Sequence, residues 1–202
     1  MIGAAQTTIG TEIERKFLLR DTGIVAGLTG RPLVQGYFGG IDGWSLRLRT
    51  AQARGGAPAA WLTLKSGTAG AAREEIESPV DPAFATRLLA ALSPAQLISK
   101  LRYCLPAPDG LSWEIDRFLE RHHGLWLAEI ELPRADYPLA LPAWLGPEVT
   151  DDPGYRNAAL AVSPGGGALP PAPAELRAVV DRLLAETGQR PALPPEPALH
   201  AG

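Results

Sequence analysis

Hydrophobic and polar residues alternate in short runs along most of the chain, which is the pattern of half-buried β-strands. Gly, Pro or Asp residues separate most of the runs, and the gaps are short enough for hairpins. This arrangement predicts an antiparallel meander rather than alternating strands and helices. The eight predicted strands cover residues 12–19, 32–38, 44–50, 59–66, 72–79, 97–105, 111–119 and 125–132.

Helical patterns are few. Residues 81–93 predict a helix with Asp81 as the N-cap and Pro82 at the first position. A second helix is predicted over 154–162. We assign residues 8–162 to one globular domain.

The remaining residues, 163–202, differ in composition from the domain. Pro and Gly dominate 163–173, which is typical of a linker. Apolar residues at helical spacing predict an amphipathic helix over 174–187. The last segment, 190–202, has the composition of a disordered tail.

Charged side chains fall on a single face of seven of the eight strands. Strand side chains alternate with a period of two, so Glu12, Glu14 and Lys16 share a face and Ile13 and Phe17 take the other. On the other strands the same face carries Arg47, Arg49, Lys65, Arg73, Glu75, Glu77, Lys100, Arg102, Glu114, Asp116, Glu129 and Glu131.

Such a face fits the interior of a barrel better than the exposed side of an open sheet. Exposed sheet faces mix in Ser, Thr, Gln and Asn, whereas this face is almost purely ionic. Eight antiparallel strands are about the number that closes a small barrel around one ligand. The predicted fold is therefore mainly β (α+β), a closed eight-stranded antiparallel barrel with peripheral helices. The helices at 81–93 and 154–162 would cover its apolar outer face.

Composition and charge exclude several classes of protein. With 19 Lys and Arg against 22 Asp and Glu, the net charge is −3, which disfavours binding to bare duplex nucleic acid. No apolar run is long enough to cross a bilayer, and the N-terminus lacks the pattern of a signal peptide. The single cysteine excludes an internal disulfide framework. We expect a soluble cytoplasmic protein, with Cys104 as a small core residue.

Arginine supplies nearly every positive charge of the chain. Only Lys16, Lys65 and Lys100 are lysines, and all three fall on the charged face. Convergent arginines and lysines suit an anion with oxygens on several sides. Carboxylates in the same cavity would repel that anion unless a divalent cation such as Mg²⁺ or Mn²⁺ stood between them. The residues by themselves therefore indicate an oligophosphate held together with a divalent metal.

The motifs, in their order along the chain, resemble those of the CYTH, or triphosphate tunnel metalloenzyme, family. The resemblance covers about 12–160 and is strongest to the compact bacterial inorganic tripolyphosphatase-like members. It implies an eight-stranded antiparallel tunnel. It rests on E-I-E-R-K at 12–16, R-L-R at 47–49, T-L-K-S at 63–66, R-E-E-I-E at 73–77, K-L-R-Y at 100–103, E-I-D at 114–116, E-I-E at 129–131 and the closing segment at 146–157.

This resemblance also implies roles for the charged residues. Phosphate oxygens would be bound by Lys16, Arg47, Arg49, Lys65, Arg73, Lys100 and Arg102. The metal would be held by Glu12, Glu129 and Glu131, with Glu14 beside it or orienting water. Supporting carboxylates would be Glu75, Glu77, Glu114 and Asp116. Lys16 and Tyr37 form the implied acid–base pair, in which the ammonium would lower the pKa of the tyrosine.

We therefore expect metal-dependent hydrolysis of the terminal phosphate of a small-molecule triphosphate, most simply inorganic tripolyphosphate. We expect the protein to be a monomer or homodimer that binds neither membranes nor duplex nucleic acid. A nucleotide or thiamine triphosphatase, a class IV-type adenylyl cyclase, and a polyphosphate or nucleotide sensor are the alternatives. Trp61 lies on the face of Lys65 and could stack a base.

Overall fold

A sheet of nine antiparallel strands dominates the computed structural model, which describes residues 6–41, 43–51, 58–66, 72–162 and 168–189. The strands are Thr8–Leu19 (β1), Arg31–Ile41 (β2), Trp44–Ala51 (β3), Ala59–Ser66 (β4), Ala72–Pro79 (β5), Leu97–Pro106 (β6), Ser112–Phe118 (β7), Trp126–Glu131 (β8) and Leu145–Glu148 (β9). The α-helices within these ranges are Pro82–Ala90 (α1), Asn157–Leu160 (α2) and Ala174–Thr187 (α3).

The first eight strands close on themselves. Their hydrogen-bonded order is β5-β4-β3-β2-β6-β7-β8-β1, and β1 pairs again with β5. Closure is possible because β1 is long: residues 8–13 pair with β5, and residues 14–18 pair with β8. The predicted fold class, a mainly β chain with an antiparallel ring of eight strands, is confirmed.

Helix α1 covers one part of the outer apolar face together with α3. Asp81 caps α1 as predicted, since its Oδ1 accepts a hydrogen bond from the backbone N–H of Phe84 at 2.8 Å. Leu176 and Val180 of α3 share a core with outward-facing leucines of β3 and β4. An ion pair between Arg87 and Glu175 joins the two helices at the surface.

A second part of the outer face is covered without a helix, contrary to expectation. Phe17, Trp113 and Ile130 point outward there and pack under the irregular segment 133–144. This segment carries prolines at 133, 138 and 142, which remove backbone donors and prevent a helix. Trp144 closes the packing by meeting Trp113 edge to face, with 5.3 Å between ring centroids.

The predicted second helix is shorter than expected and has a different place. A 3₁₀ turn occupies Pro153–Tyr155, and α2 begins only at Asn157. Leu160 of α2 packs on Phe118 and Leu127, whose alternation directs them into the ring. The helix thus caps an apolar plug inside one end of the barrel instead of covering the outside.

Strand β9 was not predicted. Its four residues include a glycine and a proline, so the alternation is too short to identify a strand. It extends the sheet along β1, and the N–H of Val149, which directly follows it, donates to the carbonyl of Lys16 at 2.8 Å.

The expectation for Cys104 is wrong, because the residue is exposed. It has the same parity along β6 as Lys100 and Arg102, and it lies opposite Glu114 of β7. Its side chain therefore belongs to the charged face and not to the apolar core.

The predicted linker and tail fall partly outside the described residues. Residues 163–167 of the linker and all of 190–202 lie beyond them. None of the helices in the described part of the chain is long and apolar enough to span a membrane.

Shortening a buried side chain of α3 tests whether this helix contributes to the stability of the fold. Leu176 is fully buried in the shared core, so Leu176→Ala is expected to lower the free energy of unfolding by about 2–5 kcal/mol. Arg182→Ala, on the exposed side of the same helix, should change it by less than about 0.5 kcal/mol. Urea denaturation of both variants measures the difference. A loss for Leu176→Ala no larger than for the control would mean that α3 contributes little to stability.

Candidate active site

The ring encloses a cavity of about 780 Å³ lined mainly by charged side chains. Of the residues predicted from the sequence, the wall contains Glu12, Glu14, Lys16, Tyr37, Arg47, Arg49, Lys65, Arg73, Glu75, Glu77, Arg102, Glu114, Glu129 and Glu131. Strand alternation brings them together, because every second residue faces inward. The structure does not place Lys100 and Asp116 in this wall.

Lys100 and Asp116 form a buried layer between the cavity and the apolar plug. Both side chains are fully inaccessible, and Lys100 Nζ lies 2.6 Å from Asp116 Oδ2. Asp116 also accepts two hydrogen bonds from Arg102, from Nε at 2.7 Å and from Nη2 at 2.6 Å. Although burial raises the pKa of Asp116, Arg102 and Lys100 lower it more, and the net shift is downward. Asp116 therefore fixes the guanidinium of Arg102 from behind.

A second network holds the two arginines of β3. Arg47 Nη2 lies 3.3 Å and Arg49 Nη2 lies 3.0 Å from oxygens of Glu77. Thr63, which is fully buried, donates to the same carboxylate at 2.9 Å. The Arg49 guanidinium also stacks over Trp61, 5.0 Å from the ring centroid. Both guanidiniums are thus held by groups on neighbouring strands.

Lys16 of β1 and Lys65 of β4 are each flanked by two glutamates. Lys65 forms ion pairs with Glu12 and, at 2.8 Å, with Glu75. Lys16 lies 2.9 Å from Glu129 and 3.5 Å from Glu14. Burial lowers the pKa of Lys16, but the carboxylates of Glu129 and Glu14 raise it more, so the ammonium stays charged at neutral pH.

Tyr37 lies on the cavity wall, and its hydroxyl donates to Gln35 Oε1 at 3.3 Å. The expectation of a lowered pKa is wrong. Burial raises the pKa of Tyr37, and this effect exceeds the lowering by Arg47 and Lys65. The side chain is therefore a neutral phenol that can donate a proton in a hydrogen bond, and not a phenolate.

Carboxylates meet one another directly across neighbouring strands. Glu14 is the cross-strand partner of Glu131, and Glu114 is the partner of Glu129. Like charges placed opposite each other destabilise a sheet. Burial raises the pKa of Glu131, and neighbouring carboxylates raise it further. In the described ranges no three His, Cys, Asp or Glu side chains are gathered as a ready metal-ligand set, because several of the glutamates pair with bases.

Several residues of the wall were not among those predicted from the sequence. Arg156 reaches the cavity from the turn before α2, Asn157 from the first position of α2, and Ser45 from β3. Ser45 has the parity of Arg47, so alternation could have identified it. Arg156 lies outside any strand, and its position depends on how α2 packs against the plug.

Removing the charge of Asp116 is expected to destabilise the protein strongly. Asp116→Asn would leave the buried ammonium of Lys100 without its carboxylate and would remove one of the three carboxylates that contact Arg102, which costs about 3–5 kcal/mol. Glu114 also contacts Arg102, but its side chain is 39% exposed, so Glu114→Gln should cost less than about 1 kcal/mol. Urea denaturation distinguishes the two, and equal losses would contradict a special role for the buried pair.

Acid should weaken the same contact. Because the pKa of Asp116 lies below its ordinary value of 3.8 in the folded protein, the unfolded chain binds more protons near that pH. Its stabilisation is complete above that value and is lost as pH falls through the folded pKa. We expect the free energy of unfolding of Asp116→Asn to fall less steeply than that of the wild type below about pH 4. Parallel pH profiles would refute this assignment.

Individual relatives of known function, and not a family model, identify the family of the chain. No family model matches the chain. It is 35% identical over 156 residues to an inorganic triphosphatase of Acetivibrio thermocellus, covering 77% of this chain and 96% of that protein. It is 38% identical over 156 residues to an inorganic triphosphatase of Nitrosomonas europaea, covering 76% and 98%.

Solved structures agree with these relatives. The crystal structure of the inorganic triphosphatase NE1496 matches with a TM-score of 0.55 and 35% identity, over 76% of this chain and 95% of the other. The fold, the charged cavity lining and the sequence relatives thus all indicate the same family. The chain belongs to the CYTH, or triphosphate tunnel, family and lies among its inorganic triphosphatases.

Proposed function

We propose that this protein hydrolyses inorganic tripolyphosphate to phosphate and pyrophosphate inside the charged cavity, together with Mg²⁺ or Mn²⁺. The observation that carries the proposal is the convergence of basic side chains from six different segments on one cavity, in a chain whose relatives are named inorganic triphosphatases. Guanidinium and ammonium groups on several sides match a chain of phosphoryl groups, which presents oxygens in every direction.

The charge balance of the cavity supports a divalent cation as part of the bound species. Among its described lining residues, seven are basic (Lys16, Arg47, Arg49, Lys65, Arg73, Arg102 and Arg156) and seven are acidic (Glu12, Glu14, Glu75, Glu77, Glu114, Glu129 and Glu131). A wall with equal numbers of both signs does not attract a bare polyanion by its net charge. It suits a polyanion that arrives with cations to meet the carboxylates.

The donor set fits such an ion. Glu14 faces Glu131 across neighbouring strands, and a divalent cation would relieve their repulsion. Buried Oε1 of Glu129 and Oε2 of Glu75 accept no well-aligned hydrogen bond, although each lies within 2.9 Å of a lysine nitrogen. Carboxylate oxygens are the ligands that Mg²⁺ and Mn²⁺ prefer. We assign Glu12, Glu14, Glu129 and Glu131 to this ion, which would supply Lewis acidity and neutralise negative charge when bound.

The protein's own residues act through position and charge. In the proposed reaction, water attacks the terminal phosphorus and the bond to the bridging oxygen breaks, so that negative charge moves to the pyrophosphate. Lys16 stays protonated and meets this charge, and Tyr37 donates its hydroxyl proton in a hydrogen bond to a phosphoryl oxygen. Glu14, 3.5 Å from Lys16, offers an acceptor that orients the attacking water.

The buried layer has a supporting role in this proposal. Lys100 is only 1% exposed and lies behind the wall, so it acts on the substrate through Asp116 and Arg102 instead of touching it. Glu77 and Glu75 likewise hold Arg47, Arg49 and Lys65 in place.

No described feature favours a nucleotide as the substrate. A purine would need a stacking surface, and Trp61 is not among the lining residues described for the cavity. Its ring is occupied by the Arg49 guanidinium. Trp61 therefore gives no support to a nucleotide substrate or to a cyclase.

Phosphate release from tripolyphosphate, ATP, thiamine triphosphate and pyrophosphate tests the proposal, with Mg²⁺, Mn²⁺ or EDTA present. We expect release to be fastest from tripolyphosphate and to stop in EDTA. Fastest release from ATP or thiamine triphosphate would replace the proposed substrate. No release from any of the four would refute the proposal, and cyclic AMP formation from ATP would then be measured.

Lys16→Ala should lower the rate of tripolyphosphate hydrolysis at least about 100-fold, because it removes a cation that faces the developing charge. Arg15→Ala is the matched control. Arg15 is adjacent in β1 but points outward, where it pairs with Glu148 at 2.6 Å. It should keep nearly the wild-type rate. A similar effect of both substitutions would indicate damage to β1 instead of loss of a substrate contact.

A further inference from the structure

Two guanidinium groups from distant parts of the chain lie together at the α2 side of the cavity. Arg73 comes from β5, and Arg156 comes from the turn that precedes α2. Both line the main cavity, and both line a small adjoining pocket whose wall also contains Lys16 and Glu14. The site already described therefore continues into the space between these two arginines.

These arginines differ from the other basic residues of the wall because neither forms an ion pair with a carboxylate of the described residues, although Glu12 lies opposite Arg73 in the strand register. Lys16, Lys65, Arg47, Arg49 and Arg102 each form an ion pair with a glutamate or aspartate. Arg73 instead donates to the backbone carbonyl of Ser66, from Nε at 3.2 Å and from Nη2 at 3.1 Å. The Arg156 side chain forms neither an ion pair nor a hydrogen bond with any residue in the described ranges.

The two like charges also act on each other. Burial lowers the pKa of Arg73, and the charge of Arg156 lowers it further, against the opposite effect of Glu12 and Glu14. Glu14 and Asp152 line the adjoining pocket without pairing with either arginine. Two guanidiniums that lie near one another, with no described carboxylate in ion-pair contact with either, repel each other, and an anion between them removes that repulsion.

The geometry of the guanidinium group selects the anion. Its planar fork donates two parallel hydrogen bonds to a phosphate or carboxylate. Two such forks suit a group with several charged oxygens, and the end of a tripolyphosphate chain carries more of these than any inner phosphoryl group. Lys16, which borders both spaces, makes the subsite continuous with the phosphate-binding wall.

We propose that Arg156 and Arg73 form an additional phosphoryl subsite that holds one end of the substrate chain between their guanidinium groups. The identity of the anion rests on the proposed function. Arg156 is then a substrate-binding residue that lies outside the eight strands of the ring.

The test uses the full-length protein and imidotriphosphate, in which NH replaces the bridging oxygens and resists hydrolysis, with Mg²⁺ present. Calorimetric titration should show that Arg156→Ala binds it about tenfold more weakly than the wild type. Arg156→Lys keeps the charge but loses the fork, so its affinity should lie between the two. Arg134→Ala, which removes an exposed arginine that contacts Asp136 and the ring of Tyr137 and is not among the residues described as lining the cavity, should bind as the wild type does.

Thermal unfolding separates a binding role from a structural one. Because Arg156 is repelled by Arg73, ligand-free Arg156→Ala should melt at the wild-type temperature or above it. Only the increase in melting temperature caused by imidotriphosphate should become smaller. Wild-type affinity in Arg156→Ala would overturn the subsite, and so would a lower melting temperature of the ligand-free variant.

These outcomes are distinguishable from failure of the proposed function. If the wild type hydrolyses tripolyphosphate and Arg156→Ala binds the analogue normally, only the subsite is wrong. If the analogue binds and Arg156→Ala weakens it but no phosphate is released, the subsite stands and the hydrolysis proposal fails. If the wild type does not bind the analogue, the subsite is overturned, and phosphate release from tripolyphosphate decides the hydrolysis proposal by itself.

Discussion

Most of the ionised groups that face the inside of this barrel pair with a group of opposite charge, and the need for such pairing shapes the rest of the structure. An isolated charge in a protein interior costs several kcal/mol even after the surroundings relax. Asp116 meets the cost of burial by contacting Lys100 and Arg102 at 2.6–2.7 Å. Acids therefore stand opposite bases across much of the wall, and the strand register is fixed by charge as well as by hydrophobic packing.

Because the charged side chains point into the barrel, the apolar side chains of the same strands point outward. Other parts of the chain must therefore shield them from water. Helices α1 and α3 bury the outer face of β3, β4 and β5, and the proline-rich segment 133–144 buries that of β1 and the strands beside it. Among the described residues, the apolar part of the interior is concentrated in the plug beneath α2. The peripheral elements thus allow the sheet to keep a polar cavity, because they supply the hydrophobic core that the barrel interior lacks.

Where pairing fails, the structure indicates what the cavity is built to bind. Glu14 faces Glu131, and Arg73 lies near Arg156, so each pair costs the free protein stability. Functional sites commonly retain such unfavourable contacts, since a ligand of opposite charge relieves them. In our proposal a divalent cation relieves the acidic pair and a phosphoryl group relieves the basic one.

Local patterns in the sequence determined the eight strands of the ring, the face of each charged residue and the cap of α1. Each of these follows from the order of neighbouring residues, such as the alternation of Glu12, Ile13 and Glu14 or the spacing of Asp81 and Phe84. Tertiary structure decided the rest. Contacts between distant residues decide which acid pairs with which base and bring Arg156 to the cavity wall. Burial decides that Lys100 lies behind the wall and that the pKa of Tyr37 is raised. The alternation along a strand cannot predict distant contacts or burial, because it indicates only which face of the sheet a side chain takes.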